Sequence, residues 1–137
     1  MNVPPFLPLT NCGMTNQDID ERTREMGPRI ARLLEEKKAE DPVIIEVREL
    51  LPVCDYFIVA TGRNKQHLEA LSKQVDELMS DVPEMECTGT EGLDEGLWVL
   101  MDYGSIIVHL FQEHVREYYR IEGLWADAPR IDYQTDE

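Results

Sequence analysis

The feature that most constrains this chain is a pair of apolar runs, Leu97-Trp-Val-Leu-Met-Asp102 and Ser105-Ile-Ile-Val-His-Leu-Phe111, separated only by Tyr103-Gly104. Two β-forming runs joined through two residues that include a glycine predict an antiparallel hairpin. In the second run both alternating sets, Ile106/Val108/Leu110 and Ile107/His109/Phe111, are mostly apolar, so that strand should lie inside a sheet with both faces largely covered. At 137 residues there is room for one domain around such a sheet.

The rest of the chain supplies the elements to cover it. Val43 to Val47 and Asp55 to Thr61 are short and β-branched, which predicts two more strands. From about Asn64 to Ser80, Leu68, Leu71, Val75 and Leu78 form one stripe opposite Lys65, Glu69, Lys73 and Asp76, the pattern of an amphipathic helix ended by Pro83. A helical pattern begins at Thr15, and Gly27-Pro28 is expected to interrupt it. A new helix then runs from Pro28 to about Ala39 on Ile30, Leu33 and Leu34, with Asp41-Pro42 beyond it. Leu50 to Cys54 reads as an irregular connection, Met85 to Thr88 as a short strand, Thr90 to Gly96 as loop, and Gln112 to Leu124 as a last helix. The expected fold is a single α/β or α+β domain, a mixed central sheet of about five strands flanked by helices, in the order α-β-β-α-β-β-β-α. Residues 1–27 read as an N-terminal extension, its first part proline-rich and uncharged, 28–125 as the domain, and 126–137 as a polar acidic tail.

Charge narrows the function. Thirteen Lys and Arg face twenty-eight Asp and Glu, a formal charge of −15 that repels phosphate backbones and anionic lipid, so direct sequence-specific nucleic-acid binding is not expected. The apolar run from Ser105 to Phe111 is far too short for a membrane span. Cys12, Cys54 and Cys87 form no C-x-x-C pair, and the first residues show no export or import pattern, so a reducing, cytoplasmic setting is expected. Between Asp76 and Asp102 there are nine acids and no Lys or Arg. That stretch reads either as a solvated face or as a landing site for a basic partner, and Trp98 and Tyr103 beside it as core residues or as interface anchors.

Catalytic signals are sparse. His109 and His114 are five apart rather than four, and nothing nearby completes a metal-ligand set, so no metal is expected and His109 reads as a buried, hydrogen-bonded side chain. Cys54 with His109 would be a nucleophile pair only if the thiolate were activated, and nothing local marks it so. Ala60-Thr-Gly-Arg-Asn64 joins a strand to a helix, where backbone amides can cradle an anion, but it has one glycine where phosphate loops use several. Asp55, Glu91 and Asp94 are isolated candidate carboxylates.

The ordered string Asp55-Tyr-Phe-Ile-Val-Ala-Thr-Gly62, His67, Glu91-Gly92, Trp98-Val-Leu-Met-Asp-Tyr-Gly104, Ile107-Val-His-Leu-Phe111, Arg116, Tyr119 and Glu122-Gly-Leu-Trp125 resembles the ribosomal silencing factor, or Iojap-like, family from about Pro28 to Trp125. The resemblance implies a nucleotidyltransferase-like α/β domain with no transferase role and no cofactor. It further implies binding to large-subunit ribosomal protein fourteen, which sterically blocks subunit joining and represses translation when nutrients are short, and a homodimer in isolation. Carried over by position, it makes Trp98 and Tyr103 apolar anchors, Asp102 the charge that meets Lys or Arg, and Tyr119 a neighbour on the last helix. The alternative is a nucleotide-binding protein or nucleotidyltransferase-like enzyme using the 60–64 turn. In that reading Gly62-Arg63 stands where a Gly-Ser turn is needed, and Trp98 to Asp102 offers one acid where a metal pair needs two.

Overall fold

The computed structural model describes residues 16–49 and 54–133, with side chains from residue 21. The proline-rich arm and most of the Leu50 to Cys54 connection lie outside the described residues. The chain forms α1 (Asn16–Glu36), β1 (Glu40–Glu46), β2 (Tyr56–Gly62), α2 (Lys65–Met79), a 3-10 turn (Pro83–Met85), β3 (Gly89–Glu91), β4 (Trp98–Asp102), β5 (Ile106–Gln112), α3 (Glu113–Tyr119), α4 (Ile121–Leu124) and β6 (Arg130–Ile131). The strands make one mixed sheet of six in the order β3-β4-β5-β2-β1-β6. β2 and β5 pair in parallel at its centre, Tyr56 opposite Ile106 through Gly62 opposite Gln112, and the other pairings are antiparallel.

Strand alternation sorts the core onto two faces. Ile44, Ile58, Ala60, Val99, Met101, Ile106, Val108 and Leu110 point to the side covered by α1 and α2, which bring Met26, Ile30, Leu34, Leu68, Leu71 and Val75. Ile45, Phe57, Val59 and Phe111 point to the other, where Val115 of α3, Ile121 of α4 and Ala128 close over them. The parallel pair is therefore buried on both sides, as the apolar runs predict. The helix on Leu68, Leu71 and Val75 is held at its start by Asn64, whose Oδ1 accepts from the His67 N–H at 2.8 Å.

Five expectations differ from the structure. α1 runs through Pro28, so the boundary drawn at residue 28 falls inside a helix. A proline there costs roughly 3 kcal/mol, but Met26, Ile30, Ala31 and Leu34 are fully buried on one stripe, each large one giving about 1.5–3 kcal/mol, so the core keeps the two halves in line. Gly27 fits the same crossing, because a Cβ there would lie 2.8 Å from the Tyr56 ring. The hairpin turn is one residue later than expected: Tyr103 N–H donates to Ile106 C=O at 2.9 Å, leaving Gly104-Ser105 at the tip with Gly104 at φ +85°. A glycine at the first tip position with a positive φ is the pattern of a II′ turn. The strand expected at Met85 to Thr88 is instead the end of the 3-10 turn, with β3 pairing later against β4. The last helix breaks at Arg120, in left-handed backbone (φ 50°), and the segment after it is not all tail, since β6 adds to β1 and Ala128 and Tyr133 are buried.

The loop entering β4 depends on Gly92. It has φ +91°, and a Cβ built on it would lie 1.9 Å from the Trp98 carbonyl oxygen. Gly92→Ala should therefore lower unfolding stability by about 2 kcal/mol or more in urea titration, while Gly89→Ala, which meets nothing within 4 Å, should stay within ~0.5 kcal/mol of wild type.

Candidate functional site

The pleat of β4 divides its residues. Val99 and Met101 are buried beneath α2, while Trp98, Leu100 and Asp102 share the opposite face and are only half-buried. α3 and α4 close one end of that face; further along, Ile107 of β5 is also half-buried and Glu91 of β3 is exposed. The result is a strip of sheet surface with an apolar middle and a carboxylate at each side.

Trp98 is the centre of an aromatic cluster. Its ring centroid lies 4.8 Å from Phe111 and 4.9 Å from Tyr119, and its indole N–H donates to His109 Nδ1 at 3.1 Å. Phe57 stands edge-to-face on His109 at 4.7 Å and on Trp125 at 5.6 Å. Beside Trp98 an apolar groove of about 500 Å³ is lined by Leu97, Trp98, Val115, Tyr118 and Tyr119, with Glu95 and His114 at its rim. Leu97, Tyr118 and Tyr119 are exposed at 39%, 81% and 49%, unusual for large apolar side chains clustered together.

The four residues singled out by the resemblance separate. Trp98 and Tyr119 meet directly. Asp102 shares the face of Trp98, and its Oδ1 accepts from the Gly104 N–H at 2.8 Å, which ties the carboxylate to the hairpin tip. Tyr103 is a correction to the expected anchor set. It points to the other face, is 3% exposed, and its hydroxyl donates to Asp76 Oδ1 at 2.6 Å. Burial, and then the Asp76 carboxylate, push its pKa upward, so it stays a neutral donor. Leu97, Leu100, Ile107 and Tyr118 were not singled out from the sequence; the alternation Trp98/Leu100/Asp102 is the signal that reaches Leu100.

His109 is 4% exposed, and burial pushes its pKa down to about 4. Cys54 is buried and its thiol donates to Tyr56 C=O at 3.1 Å, while desolvation raises its pKa to about 12. A thiol so held is no nucleophile. At the 60–64 turn the Arg63 N–H donates to His67 Nδ1 at 3.0 Å and the His67 N–H to Asn64, so these amides are directed at the chain's own side chains. Gly62 serves packing, because a Cβ there would lie 2.6 Å from Leu68. The nearby cleft of about 890 Å³ is lined by Glu35, Glu40, Asp41, Glu113, Glu117 and Glu122 against Arg116 and Arg120, a wall that repels polyphosphate. Arg116 is itself engaged with Glu122, Thr61 Oγ1 and the carbonyls of Glu40 and Asp41. Burial opposes the charge on Glu122, but Arg116 more than offsets it and holds that carboxyl below its ordinary range. Among the described residues no cluster of His, Cys, Asp and Glu could hold a metal, and no helix is long and apolar enough to cross a membrane.

The buried imidazole links acidity to stability. An unfolded histidine takes up a proton near pH 6.5, while His109 in the fold resists it until about pH 4. The unfolded chain therefore binds more protons between those values, and stability falls as pH drops through that window. Between pH 7 and 4.5 wild type should lose roughly 2 kcal/mol more than His109→Phe, read from urea unfolding at both pH values.

Comparison with known proteins places this geometry. Residues 20–137 match the family model described as "Ribosomal silencing factor during starvation". The chain is 33% identical over 102 residues to the Ribosomal silencing factor RsfS of Bacillus subtilis, covering 74% of this chain and 86% of that protein. Among solved structures, a Chromobacterium violaceum protein superposes with a TM-score of 0.66 at 32% identity, covering 82% of this chain and 88% of its own. A Bacillus halodurans protein superposes with a TM-score of 0.68 at 26% identity, covering 80% and 98%.

Proposed function

Since the chain belongs to the ribosomal silencing factor family, we propose that it docks on large-subunit ribosomal protein fourteen through the open face of β4 and, by its bulk, keeps the small subunit from joining. The observation that carries this reading is the half-open aromatic centre around Trp98, with the carboxylates of Glu91 and Asp102 on the same face and Glu95 beside its groove. A basic ribosomal protein is attracted to such a surface, whereas bare ribosomal RNA is repelled by the chain's net charge of −15. The partner is protein first.

The mechanism is obstruction and needs no turnover. An interface of ordinary size hides roughly 800 Å² on each side, and a 15.9 kDa body held at the subunit junction blocks close approach whether or not it touches the second subunit. Translation falls in proportion to the large subunits occupied, the response suited to nutrient limitation in the cytoplasm. Trp98 inserts as the apolar anchor, Tyr119 and Leu97 frame it, and Asp102 pairs with a partner Lys or Arg. The exposed Leu97, Tyr118 and Tyr119 also favour self-association in isolation, so a homodimer that competes with ribosome binding belongs to the same proposal.

Co-sedimentation with purified large subunits, with and without small subunits, tests partner and mechanism together: bound factor should lower the yield of joined ribosomes. Trp98→Ala should weaken binding by more than ~1 kcal/mol, about fivefold, with the melting transition still cooperative. Asp102→Asn should mainly slow association and flatten its dependence on salt, read by rapid mixing at two ionic strengths. Equal joining with and without saturating factor would overturn the proposal.

A further inference from the structure

Resting on the docking reading above, we propose that His109 is the positioning residue of this surface: its Nδ1 accepts the Trp98 indole N–H and thereby fixes the ring that a partner meets. The indole nitrogen can only donate, so the 3.1 Å contact requires Nδ1 to be the unprotonated nitrogen of the imidazole. The ring proton is then on Nε2, which is buried and has no hydrogen-bond partner among the described residues. A buried donor without a partner is costly, and a phenyl ring at 109 would pack against Phe57 and Phe111 without that cost. What only the imidazole brings to this position is the acceptor for Trp98.

The surroundings show why an acceptor matters. Trp98 sits at the first residue of β4, half-buried, against the end of α3. Phe111 and Tyr119 meet its ring in tilted contacts at 4.8 and 4.9 Å, and apolar contacts of this kind do not by themselves specify the direction of the indole N–H. The hydrogen bond to a strand residue that is itself 4% exposed fixes that direction and orients the indole before a partner arrives. His109 stands beside its cross-strand partner Leu100 on the same face of the sheet, so the imidazole is part of the surface layer that Leu100 and Trp98 present. Burial keeps the ring neutral, and so an acceptor, throughout the neutral pH range.

The test uses the full chain with His109→Phe, which keeps an aromatic ring and deletes the acceptor, and His109→Asn, which returns an acceptor oxygen near the place of Nδ1. Hydrogen exchange of the two indole N–H groups, assigned with Trp125→Phe, is followed by NMR in the free protein, and affinity for purified large subunits is measured by co-sedimentation. His109→Phe should speed exchange at Trp98 about tenfold and weaken binding about fivefold, and His109→Asn should recover most of both. Trp98→Phe removes the donor instead of the acceptor, so it should lose binding similarly, and adding His109→Phe to it should cost nothing further. Trp98→Phe and His109→Asn, read side by side, keep the test decisive if His109→Phe is poorly folded, since loss of binding in the first and its retention in the second are both required. Wild-type exchange and affinity in His109→Phe, or additive losses in the double variant, would overturn the assignment. If exchange responds as expected while wild type itself does not bind large subunits, the docking reading fails and the positioning of Trp98 stands.

Discussion

The six-stranded sheet has two apolar faces, and among the described residues the long helices lie on only one of them. α1 and α2 cover the first face from Ile44 to Met101, so everything that points that way, including Tyr103, is core. Among the described residues the second face receives the short α3 and α4 and a C-terminal segment, enough to bury Phe57, Val59 and Phe111 but to meet β4 only at Trp98, where Tyr119 packs on it. Burying a large apolar side chain gives about 1.5–3 kcal/mol, so leaving Trp98, Leu100 and Ile107 half-open forgoes stability that a longer third helix would collect. The imbalance between the two faces leaves open the surface proposed for docking.

The partial cover is fixed at the turn between α3 and α4 by Arg116. Its guanidinium, 11% exposed, meets the Glu122 carboxylate, the Thr61 hydroxyl and two carbonyls of β1. A buried charge is tolerated only when its donors are satisfied, and here one side chain ties α3 and α4 to the ends of β1 and β2. This anchoring sets where Tyr119 stands, and so where the aromatic wall beside Trp98 ends. The break at Arg120 turns the chain sharply after Tyr119, leaving Tyr118 and Leu124 outward.

Much of this was legible in the sequence because it is local. The hairpin, the buried character of β5 and the helix after Asn64 follow from alternation and a 3.6-residue stripe. What was not legible depends on distant partners. Pro28 reads as a helix break until Tyr56 and the buried stripe are in place, and β6 is two residues long and exists only because β1 offers an edge. Tyr103 shows a different kind of loss. Motif resemblance grouped it with Trp98 and Asp102, yet strict alternation from Trp98 already assigns it to the face of Val99 and Met101. Where a carried-over motif and the strand period disagree, the period is the physical constraint, since a one-residue step reverses the face.

Charge and aromatic area divide the work at the open face. In the proposed docking, the carboxylates on or beside this face, Glu91, Glu95 and Asp102, act over roughly a Debye length, about 8–10 Å at cellular salt, which would attract a basic protein and speed encounter but not hold it. Residence depends on desolvated contact, which the Trp98, Leu97 and Tyr119 rings and stem can supply only when their orientation is set in advance. A histidine beside them on the same sheet face supplies that orientation in the proposed arrangement, and its low affinity for a proton keeps it from adding a positive charge to an acidic surface. Thus the same burial that makes His109 costly to the fold keeps the surface both acidic and ordered.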